Sequence, residues 1–214
     1  VFGAVDNSRQ PSAEAGTYDV VVVLEGVPSR LVSRRKSRVA GIWVNTSAVT
    51  YESVPSYYAI ASTRPVEEVA DASILRDNQI GFDHIQMLPA ETSRPMSEAE
   101  FKEFREAVIR LKNKDGLFVQ EDYGVAFIGR SLFRASIDLP ANVPVGPLVA
   151  RIYLLRDGQL LSRFIARVNL EREGVERLLY TFAVRHAWWY GLATVLMAAA
   201  SGLIASRLFR RSAH

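Results

Sequence analysis

Cysteine is absent from the 214 residues. That removes disulfides, thiolate zinc sites, iron–sulfur clusters and cysteine nucleophiles together. A thiol-free chain suits reducing and oxidising compartments alike, so the compartment stays open. Histidine is scarce: His84, His186 and His214 stand far apart. Asp83-His84 is half of a metal or hydrolytic site, without a second histidine or ordered carboxylate cluster to complete it. Met87, Met96 and Met197 are too few for a copper-handling surface. The stretch from Gly124 to Gly129 lacks the lysine and spacing of a phosphate loop. No catalytic residue, metal or cofactor is therefore assigned.

An excess of either charge is small as well. The net charge is +3, and Arg207, Arg210 and Arg211 supply all of it. Without them, 23 basic residues face 23 acidic ones, a balance that argues against a nucleic-acid partner.

What the sequence does hold is one long apolar run. Residues 187–206 (AWWYGLATVLMAAASGLIAS) carry no charge. At about 1.5 Å per residue they span roughly 30 Å, the thickness of a bilayer's hydrocarbon core. Trp188, Trp189 and Tyr190 sit where amphipathic rings favour the headgroup zone, and Arg207, Arg210 and Arg211 close the other end. A single-pass transmembrane helix is expected, followed by a basic tail at 207–214. Arg172, Arg177 and Arg185 before it nearly balance the three after it, so charge alone leaves its direction open between a cytoplasmic tail and a cytoplasmic domain. Residues 173–186 read as an amphipathic juxtamembrane helix, either at the membrane surface or packed on the soluble part. Within the span Gly191, Thr194, Ala198, Ser201 and Ala205 recur at spacings of three and four, and Gly202 pairs with Ala198. Such small residues let membrane helices approach closely, although alanine and glycine are also common in spans generally.

The remainder, residues 1–172, reads as mainly β. Residues 18–24 (YDVVVVL) are too apolar for a half-exposed strand, so both faces are expected to be covered. Residues 1–5 are expected to form a hairpin with them across the polar loop at 6–16. Separate strands follow at 30–34, 41–45, 48–52 and 57–62. Residues 65–116 read as a helical insertion, with one helix from Pro65 to about Arg76 and a second opened by Ser97 and Glu100. Strands resume at 117–120, 125–128, 132–139, 148–155 and 160–170, with Asp157-Gly158 as a hairpin turn. An immunoglobulin-like β-sandwich with a helical insertion is expected. Trp43 is expected to be buried in it rather than to stack on a ligand, and Asn45-Thr46-Ser47, although it matches a glycosylation sequon, to form a turn. Val1 to Val5 read as the end of a strand with no leader before them, so upstream residues, including a signal peptide, are expected.

The segments VFGAVD (1–6), RRKSRVAGIWVN (34–45), YYAIASTRP (57–65) and LPANVPVGP (139–147) resemble a family of alphaproteobacterial putative transmembrane proteins. The similarity runs over nearly the whole chain. The resemblance implies a single-pass inner-membrane protein with a periplasmic domain and a cytoplasmic tail. It brings no activity or catalytic residues with it.

Three functions follow as expectations. The first is a non-enzymatic accessory or scaffold subunit, docked through the helix face on an integral membrane partner (a transporter, a respiratory or photosynthetic complex, or a second copy). The second is a binding module for an anionic envelope component through Arg30, Arg34, Arg35, Lys36 and Arg38, a cluster that otherwise reads as a solvated hairpin protected by its charge. The third is an enzyme built around His84.

Overall fold

The computed structural model describes residues 1–6, 8, 18–91, 96–171 and 175–210. The chain divides into two compact units, Val1–Leu170 and Glu171–His214.

The first unit is organised around a strand buried on both sides. Strand β2 (Asp19–Glu25) lies at the centre of a five-stranded sheet in the order β11-β10-β2-β5-β7, where β5 is Tyr58–Ser62, β7 Phe118–Glu121, β10 Gly146–Arg156 and β11 Gln159–Leu170. Its four valines, Val20 to Val23, are fully buried. Strand alternation sends Val21 and Val23 to one face and Val20 and Val22 to the other. Each buried valine is worth roughly 1.5–3 kcal/mol of transfer free energy, which is why a run without polar alternation belongs here. The expectation of two covered faces holds.

On the face of Val21 and Val23, Tyr58 and Ile60 of β5 meet the helical insertion. It comprises α1 (Val66–Val69), α2 (Ala72–Asp77), a 3₁₀ turn (Phe82–His84) and α3 (Glu98–Lys114). The single helix expected from Pro65 is two, broken at Ala70, whose backbone is extended (φ −148°, ψ 154°). At about 100° per residue, Val66 and Leu75 would face opposite ways on one helix. The break lets both reach the core, where both are buried. Two buried tyrosines tie down the following loop: Tyr58 Oη donates to the Gln79 carbonyl (2.8 Å) and Tyr153 Oη to that of Asn78 (3.1 Å). Because the insertion carries the chain back to the opposite end of the sheet, beside Tyr58 where β5 began, β7 enters parallel to β5.

On the face of Val20 and Val22 lies a small sheet in the order β1-β9-β8, with β1 at Phe2–Ala4, β8 at Val125–Phe127 and β9 at Leu132–Ala135. Residues 1–5 therefore do not form a hairpin with 18–24; β1 pairs with β9, Gly3 opposite Phe133. A Cβ on Gly3 would stand 2.3 Å from the Phe133 ring, so the ring's seat depends on glycine there.

The third sheet, in the order β3-β4-β6, is a long hairpin, β3 (Pro28–Val39) and β4 (Ile42–Pro55), with the two-residue β6 (Leu88–Pro89) beside the β4 base. The three strands expected at 30–34, 41–45 and 48–52 are one hairpin. Three open sheets with a parallel pair stand where an immunoglobulin-like sandwich was expected; the mainly β character and the C-terminal apolar helix hold.

In the second unit, α4 (Val175–Arg185) leads into α5 (Ala187–Arg210). Backbone hydrogen bonds from His186 to Phe182 (2.9 Å) and from Tyr190 to His186 (3.0 Å) bridge the junction.

Candidate functional site

Two surfaces carry the residues singled out from the sequence: the β3–β4 hairpin and α5. The hairpin turns at Ala40 and Gly41, both with positive φ (48° and 85°), the backbone of a tight primed turn that matches the twist of paired strands. Cross-strand neighbours share a face, so Arg38 lies with Trp43, Lys36 with Asn45, Arg34 with Ala48. Alternation adds Arg30 and Val32 to the same outward side.

Arg35 points the other way, onto α3. Its Nη1 donates to Glu103 Oε2 at 2.7 Å, its Nη2 lies 3.6 Å from Glu100 Oε1, and its guanidinium sits 5.6 Å from the Phe104 ring centroid. The expected five-residue basic cluster is thus four outward cations and one inward clamp. Of the four, Arg38 Nε donates to the Gly41 carbonyl (3.3 Å), bracing the turn. All four are exposed. No acid occurs between Glu25 and Glu52.

Trp43 is a correction. It is 69% exposed, not buried. The hairpin runs past the elements that cover its base, so the tip has no core to enter; Val39 and Ile42, on the opposite side of the ribbon, are 50% and 65% exposed. Asn45-Thr46-Ser47 is not a turn but the site of a β-bulge within β4. Ser37 Oγ donates to Thr46 Oγ1 (2.9 Å) and Thr46 Oγ1 to the Arg35 carbonyl (3.4 Å). The extra residue breaks the period-two pattern, which hid the hairpin's continuity from the sequence. An open groove of about 430 Å³ lies between β3 and α3, lined among others by Arg34, Arg35, Lys36, Glu103, Glu106 and Arg110.

The helix α5 contains a 20-residue apolar stretch, Ala187–Ser206, with mean hydropathy 1.4, long and apolar enough to cross a membrane. Trp188 is 92% exposed and Trp189 65%, and Tyr190 follows on the same turn. On the small-residue face, a Cβ on Gly191 or Gly202 would meet nothing within 4 Å. The two hydroxyls there are satisfied by their own helix: Thr194 donates to the Tyr190 and Gly191 carbonyls (3.0 and 2.8 Å), Ser201 to that of Met197 (2.8 Å). With Ala198 and Ala205, the face is shallow and offers no unspent donor. Arg207 and Arg210 fall in the last turns of α5, while Arg211 and His214 lie outside the described residues.

His84 sits half-buried in the 3₁₀ turn. Arg105 caps that turn, its Nη2 donating to the carbonyls of Phe82, Asp83 and Ile85. Among the described residues, no group of three or more histidines, aspartates or glutamates could hold a metal ion. His186 packs its ring 5.9 Å from that of Phe182. The sequence reading missed Val39 and Ile42 as functional candidates; their only signal was position beside the Ala40-Gly41 turn.

No curated protein and no solved structure matches the chain. A family model described as "putative transmembrane protein (Alph_Pro_TM)" matches residues 1–211, so the chain belongs to that family of transmembrane proteins.

Proposed function

We propose that this protein is a non-enzymatic accessory subunit of the bacterial inner membrane, docked on an integral membrane partner through α5, with the bulk of the chain periplasmic and the C-terminus cytoplasmic. The observation that carries the reading is the small face of α5. Gly191, Thr194, Ala198, Ser201 and Ala205 form a continuous shallow strip whose polar atoms are already satisfied. Lipid tails are as apolar as leucine, so contact between membrane helices relies on close backbone packing rather than on a hydrophobic drive. A transporter, a respiratory or photosynthetic complex, or a second copy would meet that requirement.

The test is purification from native membranes in mild detergent. Co-purification of a stoichiometric partner is expected, and Ala198→Leu with Gly202→Leu should release it while the protein stays in the membrane. Recovery as a free monomer, unchanged by the leucines, overturns the docking reading. Topology is tested separately. The chain lacks cysteine, so a lone Lys102→Cys reacts with an impermeant maleimide from the periplasmic side only if α3 is periplasmic.

A second reading is favoured by the groove between β3 and α3: capture of an anionic envelope component by Arg34, Lys36 and Arg110. Charge-driven binding there should weaken steeply with ionic strength. Loss of Arg34 and Arg35 should abolish it.

A further inference from the structure

We infer that the tip of the β3–β4 hairpin is a finger that inserts into an anionic phospholipid surface. Three observations converge on it. The first is apolar exposure concentrated at one protruding turn: Val39, Ile42 and Trp43 are 50%, 65% and 69% exposed. Scattered exposed apolar residues need no explanation, but a contiguous set rimmed by charge marks an interaction surface. The second is the charge behind it. Arg34, Lys36 and Arg38 recur every second residue on the outward side, with Arg30 below them, and no acid lies between Glu25 and Glu52. The third is shape. From Lys36↔Asn45 to Val39↔Ile42 the ribbon advances roughly 10 Å, and at its end Val39, Ile42 and Trp43 leave both sides of the ribbon exposed. That reach matches the depth to which interfacial segments sink, about 5–10 Å.

The chemistry fits a bilayer better than a protein groove. A tryptophan beside aliphatic side chains suits the headgroup–acyl boundary, where the ring is half apolar and its N–H is solvated. Arg38 and Lys36, one and three residues behind Val39, would stand at phosphate level, with Arg34 two residues further back. The Ala40-Gly41 turn, braced by Arg38 on the Gly41 carbonyl, presents the tip in one conformation and so reduces the ordering entropy of insertion. Because the chain also carries a candidate span, the finger is tethered to a lipid-bound chain and needs little affinity of its own. This role is independent of helix docking, which uses α5.

The experiment again uses the absence of cysteine. Full-length protein carrying Ile42→Cys, labelled with an environment-sensitive fluorophore, is reconstituted in nanodiscs of phosphatidylcholine or of phosphatidylcholine with phosphatidylglycerol, each with or without brominated acyl chains. A label at Lys102→Cys on α3 is the control. The expected result is blue-shifted emission at position 42, quenched by brominated chains in the anionic discs and far less in the neutral ones. The control stays in water. Each cation removed (Arg34→Gln, Lys36→Gln, Arg38→Gln) should weaken the interaction about fivefold. A label equally accessible to an aqueous quencher in every disc overturns the proposal. So does a label shielded from the aqueous quencher yet untouched by brominated chains, since protein would then cover the tip.

Discussion

Arg34 and Arg35 are chemically identical neighbours with opposite fates. Alternation turns Arg35 onto Glu100, Glu103 and the Phe104 ring, while Arg34 faces outward. The Arg35 side chain is half exposed, so its ion pairs are worth little, at most about 1 kcal/mol. Arg35→Ala should therefore lower the melting temperature by only a few degrees and leave lipid quenching at position 42 intact, unlike Arg34→Gln; thermal unfolding alongside the nanodisc assay checks both. Burial acts differently on the tyrosines. Tyr57, fully buried with its hydroxyl on the Asp138 carbonyl (3.0 Å), has its pKa raised from 10.0 to about 12 by desolvation, with Glu121 and Asp138 adding to the shift. The folded state thus holds this proton more tightly than the unfolded chain does. Stability from the neutral hydroxyl is complete below about pH 10 and is lost as pH rises towards 12. Urea titrations at pH 8 and 11 should show that loss, and Tyr57→Phe should reduce it while lowering stability at pH 8 through the missing hydrogen bond. Such residue-level fates were only partly legible. Nothing in Gly41-Ile42-Trp43 distinguishes a buried tryptophan from an exposed one, because the difference lies in whether another element reaches the tip.

Elements were legible where the signal is local. Ser97 does cap α3, accepting the Glu100 N–H at 3.2 Å, and Gly116 follows with φ 70°. Ser97→Ala should accordingly cost about 1 kcal/mol in chemical denaturation. Asp157 and Gly158 both take positive φ (51° and 78°), as a two-residue hairpin turn requires. Errors came where distant chain decides. The partner of β1 is 130 residues away in β9, and no periodicity in residues 1–5 encodes it. The break in the 65–76 helix follows from what Val66 and Leu75 must both touch. The bulge at Thr46 made one strand, β4, look like two strands and a turn.

At the scale of the whole molecule, membrane attachment was the most legible feature, since a bilayer imposes its length on the sequence directly. The test is quantitative: an arginine in place of Leu196, at mid-span, disfavours insertion by about 2.5–3.5 kcal/mol. The wild type should stay in the pellet after alkaline carbonate extraction, and a large share of Leu196→Arg should appear in the supernatant. The arrangement of three sheets around β2 was not legible, because crossovers and pairing order are settled by non-local packing. One feature of that arrangement bears on mechanics. β11 is both an edge strand and the last strand before α4, and its final residue, Leu170, pairs with Gly146 at the start of β10. Tension on the anchor is applied at that end. The load therefore enters the sheet through its outermost strand, at the Leu170–Gly146 pair. β10 stands between that strand and the doubly buried β2, so the core strand is one strand removed from the anchor's pull.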